Sequence, residues 1–367
     1  MTTRSASSLI ALRQLACLGF PGRALFLDLC AVIDTLIGFE TAQAVFLDER
    51  LGIADVLFTT DMPPSFTEEL AEYFTENPRG DGAVITAAVA FSRGYRVLRH
   101  SQLVSPKQMH STEFYHRFGQ PHGVHWVAQM HLLDDRSPIA SLSFARPNGT
   151  RDFSAADEAV LVRAEPWIAH ALAYPGPFQE GQEITDWHGS DRGALVLDEN
   201  GHLVASCSTG YRLLQQAAGV GATGRRDARL AVDALAKRLV DTVLSSLRGR
   251  GVEPPLLVVL NPYGRFKLRA YCLETFFEGQ TPQVALHIER QIPTSLRLFR
   301  SPRFLSLAPR ERDVCLWLVR GRTTGEIAAL LGIKPASVIH YTRSLYARLK
   351  VGSKRDLLLA LLGPTED

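Results

Sequence analysis

The chain has 367 residues, 46% hydrophobic and 21% charged, with a net charge of +2 at pH 7. That is the balance of an ordinary soluble globular protein, and the length allows two or three domains with a core in each. The five cysteines, at 17, 30, 207, 272 and 315, are scattered without a CxxC pair, so neither a disulfide framework nor a zinc site is indicated.

In chain order, the greasy run LACLGFPGRALFLDLCAVI is interrupted by Pro21, Arg23 and Asp28. It is too short and too charged for a membrane-spanning helix, and the leading segment lacks a clear signal-peptide cleavage pattern. A cytoplasmic protein with no membrane partner is expected. PGRALFLDLCAVIDTLIG reads as a helix opened by Pro21, and AQAVFLD as a strand. GVHWVAQMHLLDD alternates, with Val124, Trp126, Ala128, Met130 and Leu132 on one face and His125, Val127, Gln129, His131 and Leu133 on the other. The polar face meets either solvent or a pocket. Trp126, His125, Gln129 and His131 are the candidate ligand-pocket residues. PIASLSFA is the next strand, after a turn at Asp134-Asp135-Arg136-Ser137. Ser154-x-x-Asp157 resembles a capping box before a helix through Ala173, expected to bend at Pro166. Residues 1–175 thus read as an antiparallel sheet with flanking helices, an α+β domain. YPGPFQEG, 174–181, reads as a linker.

A second α+β domain, 182–296, repeats the style at smaller size, without a convincing sequence repeat. GALVLD and LVASC flank a turn at Glu199-Asn200-Gly201, and helices follow near 209–218 and 228–248. PLLVVL, RFKLRAYCLE and QVALHIER read as strands, with a turn at Asn261-Pro262-Tyr263-Gly264. GVGATG, 219–224, has the GxGxxG spacing but follows a helix rather than a strand, so it reads as a plain loop. No GK[ST] phosphate loop and no GxSxG elbow occurs. Six of the eleven histidines lie within 100–131, in no standard metal spacing. No cofactor is expected.

Residues 303–367 read as all-helical and carry eleven Lys/Arg against six Asp/Glu, a local charge of +5 on a slightly acidic body. A basic module of this kind suits a polyanion. Four helices follow from punctuation: Pro309 to Gly321, Thr323-x-x-Glu326 to Gly332, Pro335 onward, and Ser353-x-x-Asp356 before KRDLLLALL. Two helices joined by a short turn with glycine form a helix-turn-helix, whose second helix enters the DNA major groove.

LSLAPRERDVCLWLVRGRTTGEIAALLGIKPASVIHYTRSLYARLKV resembles the LuxR/NarL-type DNA-binding domain, through Pro309-Arg310-Glu311-Arg312, Gly321, Glu326-Ile327-Ala328, Leu331-Gly332-Ile333, Ser337-Val338, Leu345-Tyr346, Leu349 and Val351. The resemblance implies base contacts from Ser337, Ile339, His340 and Arg343 on a recognition helix over 335–349. It implies phosphate contacts from Thr323, Lys334, Lys350, Lys354 and Arg355. Departures from the family pattern are Ala308 in place of a capping Ser/Thr, Lys334 in place of Ser, Ile339 where a cation is frequent, and Tyr341 where His is frequent. Partial burial against a neighbouring helix is the competing explanation for Ile339. The leucines of the last helix, at 357, 358, 359, 361 and 362, exceed what one small core needs and suggest a dimer contact.

The first segment resembles GAF-like sensory domains through STEFYHRF and the run GVHWVAQM to WIAHAL. The second resembles PAS-like domains through GALVLDENGHLVASC and the strands after NPYGRFKLRA. The expected architecture is therefore two α+β sensory domains followed by a four-helix helix-turn-helix domain. The expected function is a non-enzymatic transcriptional regulator, with duplex DNA, a second copy, RNA polymerase and a small-molecule ligand as partners. The alternative is a protein-interaction regulator that has lost specific DNA binding.

Overall fold

A computed structural model describes residues 3–62, 64–77, 86–135, 137–173, 178, 187–221, 226–247, 256–273 and 281–363. The expected linker, apart from Phe178, the end of GVGATG and Arg136 in the first turn lie outside these residues.

The first domain begins with helices α1 (Thr3–Ala16) and α2 (Gly22–Ile37), followed by strands β1 (Thr41–Leu47) and β2 (Ile53–Phe58). A long connection with α3 (Pro64–Glu76), α4 (Ala87–Ser92), strand β3 (Val97–Arg99) and α5 (Pro106–His110) leads to β4 (Trp126–Asp134), β5 (Ser137–Arg146) and α6 (Ala155–Ala173). The strands form one antiparallel sheet in the order β2-β1-β5-β4-β3. Period-two alternation decides its two faces. Ala42, Ala44, Phe46, Met130, Leu132, Leu142 and Phe144 point to one side and are buried against α1, α2 and α6. Ser154 and Asp157 cap α6 as expected, the Asp157 N–H donating to Ser154 Oγ and the Ser154 N–H to Asp157 Oδ2. The helix is continuous through Pro166.

The second domain contains β6 (Trp187–Leu197), β7 (Leu203–Ser206), α7 (Gly210–Ala217), α8 (Arg226–Leu247), β8 (Leu256–Asn261), β9 (Gly264–Leu273) and β10 (Gln283–Pro293). Its order is β7-β6-β10-β9-β8. Counted within each domain, both sheets run second-first-fifth-fourth-third, so one topology occurs twice without a sequence repeat to announce it. Leu195, Leu197, Phe266, Leu268, Leu286 and Ile288 face α7 and α8. Close approach of α7 to β6 depends on two glycines: a Cβ on Gly193 would stand 2.6 Å from the Gly210 Cα.

The connector 294–305 packs as α9 (Thr294–Arg297), a 3-10 turn and α10 (Pro302–Leu305), with Leu296, Leu298, Phe299 and Phe304 buried. The third domain follows as α11 (Pro309–Val319), α12 (Thr324–Leu331), α13 (Pro335–Leu349) and α14 (Lys354–Leu362). Its own core is Val314, Ile327, Ala328 and Val338.

Buried polar groups join the domains. Arg290 is 2% exposed; it donates to the Tyr263 and Ala24 carbonyls and pairs with Asp191. Arg300 pairs at 2.6 Å with the fully buried Asp28 on α2. Arg312 on α11 is 0% exposed; it donates to Gln14 Oε1 at 2.8 Å, the Leu305 carbonyl at 2.9 Å and the Ser7 carbonyl at 3.2 Å. Gln14 returns bonds to the Pro309 carbonyl and Asp313. The leucines of α14 are absorbed here too. Leu357 and Leu361 are buried, Leu358 and Leu362 pack on the same core, and only Leu359 stands exposed. Leucine surplus on α14 therefore gives no ground for a dimer contact. Arg297 and Arg303 donate to the Leu362 and Ala360 carbonyls at its end.

Removing a buried charged partner strands the groups it satisfied, at a typical cost of about 3 kcal/mol. Arg312→Ala is accordingly expected to loosen α11 from α1. Amide exchange should accelerate in residues 3–16 and 309–319 while the two sheets keep their protection.

Candidate nucleic-acid interface and a cavity in the first domain

Local sequence sets the geometry of the third domain. Pro309 occupies the first turn of α11, where its missing N–H costs nothing. Ala308 supplies no side-chain cap, and Glu311 takes over part of that role. Glu311 Oε2 accepts the Ala308 N–H at 3.0 Å and Arg348 Nη1 at 2.8 Å, and Oε1 accepts the Ser344 hydroxyl at 2.7 Å. Burial raises the Glu311 pKa, but the bonds from Ser344, Ala308 and Arg348 outweigh it and hold the carboxyl below its ordinary value. One ionised carboxylate thus ties α13 to the start of α11. Thr323 and Glu326 form the expected capping box, with the Glu326 N–H donating to Thr323 Oγ1 and the Thr323 N–H to Glu326 Oε2. Gly332 closes α12 at φ +62°, a left-handed conformation that favours glycine. Pro335 then opens α13.

Two faces of α13 follow. Val338 and Leu345 are fully buried, while Tyr341 and Leu349 pack at the margin. Ile339 is 44% exposed, so it does not belong to the core. His340 and Arg343 are exposed beside it, and Ser337 is half-buried. Lys334, Lys350, Lys354, Arg355 and Thr323 are exposed. Lys350 ends α13 in the left-handed region at φ +55°.

The cations of residues 303–363 divide cleanly. Arg310, Arg322 and Arg348 are paired to Asp313, Glu326 and Glu311. Arg303, Arg312 and Arg320 donate to carbonyls that anchor the domain. Lys334, Arg343, Lys350, Lys354 and Arg355 make no ion pair among the described residues. Residues 305–361 match the family model for bacterial regulatory proteins of the luxR family, GerE. The third domain is a LuxR-family helix-turn-helix domain. That supports a DNA-binding transcription regulator. The chain has no match among curated proteins. No helix among the described residues is long and apolar enough to cross a membrane.

The first domain contains a cavity of about 580 Å³ on the sheet face opposite α1, α2 and α6. Residues of 60–74 and 86–87, between β2 and β3, and of 109–124, before β4, line its other side. Val45, Phe58, Phe66, Phe114 and Phe118 form apolar walls, while His100, Gln129, Ser141 and Ser143 supply polar groups. Of the expected pocket residues, Gln129 lines this space. His131 lies under it, 0% exposed, with Nδ1 at 3.0 Å from the Ser141 hydroxyl. His125 precedes β4 and lies between His110 and Trp126, tilted to the first and edge-on to the second, at 4.3 and 4.7 Å between centroids. Trp126 does not line the cavity: alternation turns it to the helical side, where Nε1 donates to the Thr150 carbonyl. His100, Ser141 and Ser143 were missed from sequence. The serines had a visible signal, since they alternate with Leu142 and Phe144 in β5; His100 sits in a short 3-10 turn and had none. Among the described residues no group of three or more His, Cys, Asp or Glu could hold a metal.

Exposure on α13 predicts unequal stability effects. In urea unfolding, Ile339→Ala should change stability by no more than about 0.5 kcal/mol, whereas Leu345→Ala should cost about 3 kcal/mol. Burial, followed by the nearby His100, lowers the His131 pKa to about 4 from an ordinary 6.5. The unfolded chain therefore takes up this proton first as pH falls. Stability should decline between pH 6.5 and 4, by up to about 1.4 kcal/mol per pH unit for this residue. His100, also lowered by burial, adds in the same direction. Denaturation midpoints across that range should show a shallower slope for His131→Gln than for the parent chain.

Proposed function

We propose that this chain is a cytoplasmic, non-enzymatic transcriptional regulator that binds duplex DNA as a homodimer, laying Pro335–Leu349 in the major groove and regulated by its N-terminal domains. Its domains are a GAF-like sensory domain at 1–175, a PAS-like domain at 182–296 and the LuxR-type domain at 303–367. The carrying observation is the set of unpaired cations. Every Lys and Arg at 303–363 that packing and ion pairing leave free is exposed, as are Ile339, His340 and Arg343 on α13, beside the half-buried Ser337. Cations held in intramolecular pairs would have to surrender those pairs to reach phosphate; these five do not. The repeated second-first-fifth-fourth-third strand order supports two related sensory modules.

Lys334, Lys350, Lys354, Arg355 and the Thr323 hydroxyl position the domain on phosphates, and Ser337, Ile339, His340 and Arg343 read bases. Ile339 contributes an apolar contact, for which the thymine methyl is the major-groove partner, while Arg343 takes a guanine. RNA polymerase is the further partner through which binding would be read out. A ligand regulates such a protein only through unequal affinity for two conformations.

The full chain, presented with randomised duplexes at low salt, is expected to select a site. Lys354→Ala should weaken all sequences alike and reduce the salt slope by about one. Arg343→Ala and Ile339→Lys should instead change base preference, at a cost of about 1–3 kcal/mol at the affected position. A chain that binds no duplex even at low salt would favour a regulator working through protein contacts alone.

A further inference from the structure

The cavity of the first domain carries more than a generic sensory role. Its volume, about 580 Å³, lies in the range of small-molecule sites. Aromatic and aliphatic side chains line most of it, with Gln129, Ser141 and Ser143 on the strand floor and His100 in the 3-10 turn beside it. Gln129 is 8% exposed; its amide nitrogen donates to the Ser143 hydroxyl at 3.2 Å, but Oε1 has no partner. His100 is 5% exposed, and neither ring nitrogen has a partner at hydrogen-bond geometry. Buried polar atoms are nearly always satisfied, so orphans that border one cavity point to something that satisfies them.

The charge of the lining narrows the class. Among the described lining residues, the basic groups are Arg50, exposed in the turn between β1 and β2, and the imidazoles of His100 and His122, and there is no carboxylate. Burial keeps the His100 imidazole neutral, against a smaller opposing effect of the neighbouring Gln129 side chain, whose approach to the ring falls short of hydrogen-bond geometry. A ligand carboxylate or ammonium on the floor would be buried without a counter-charge, which is strongly unfavourable. An uncharged donor, by contrast, finds the open Gln129 oxygen.

We propose that this cavity binds a neutral, largely apolar small molecule bearing an N–H or O–H donor, taken by Gln129 Oε1, with His100 as its second hydrogen-bonding partner. This deepens the sensory role proposed for the first domain. It is tested by binding alone, so the result does not depend on whether the chain binds DNA.

N-phenyl-1-naphthylamine is a suitable probe, because it is neutral, apolar and fluorescent with a single N–H. The full chain should bind it saturably, one molecule per chain, with enhanced and blue-shifted emission. Ala145→Phe, which fills the cavity from β5, should abolish that signal while far-UV circular dichroism stays unchanged. Gln129→Leu keeps the volume but removes the acceptor. It should weaken the amine about tenfold and leave 1-phenylnaphthalene, which lacks the N–H, unaffected. Absence of saturable binding to the parent chain would overturn the assignment. So would an Ala145→Phe variant that still binds, or a Gln129→Leu variant that loses both probes equally.

Discussion

Arg312 is the constraint on which the arrangement of the three domains turns. Its guanidinium is completely buried, and burial lowers its pKa, with Asp313 opposing at a distance. A charge in that position is tolerable only if its donors are taken. They are taken by Gln14 and by the Ser7 and Leu305 carbonyls, from the first helix and from the connector. The DNA-binding domain is therefore not tethered at the end of a loose linker. Its first helix is hydrogen-bonded to the first helix of the chain, and α14 lies with its leucines on the same continuous core. Arg290 and Arg300 perform the matching task between the first two domains, through Ala24, Asp28 and Asp191.

This docking uses α11 and α14 and leaves α13 outward. The cations spent on docking, Arg303, Arg312 and Arg320, are distinct from those left on the surface. Division of labour within one basic segment explains how it can be packed against a near-neutral body and still present positive charge. The first sheet stands between the cavity and the docking helices. Gln129 and Ser143 face the cavity; Met130, Leu142 and Phe144, their immediate neighbours, face the layer containing α1 and α6. A close-packed wall of this kind transmits displacement poorly as a continuum and well as a switch between alternative packings.

Much of the third domain was legible because its signals are local. Pro309, the Thr323–Glu326 box, Gly332, Pro335 and Ser353 each act within one helical turn, and all appear where their spacing placed them. Alternation in β4 and β5 was legible for the same reason. β2 was missed because IADVLF buries three consecutive residues rather than every second one, and α1 because its apolar residues lack a strong helical stripe.

What the sequence determined by itself, then, is the identity of each helix terminus in the DNA-binding domain and which residues of a strand share a face. Those depend on backbone chemistry within a few residues. Only the tertiary structure decided that the polar face of β4 looks into a cavity, that Trp126 looks away from it, and that the surplus leucines of α14 serve the chain's own core. Burial depends on what arrives from elsewhere: a connection sixty residues away for Gln129, and the first helix of the chain for Arg312. No pattern within a window of sequence records that arrival.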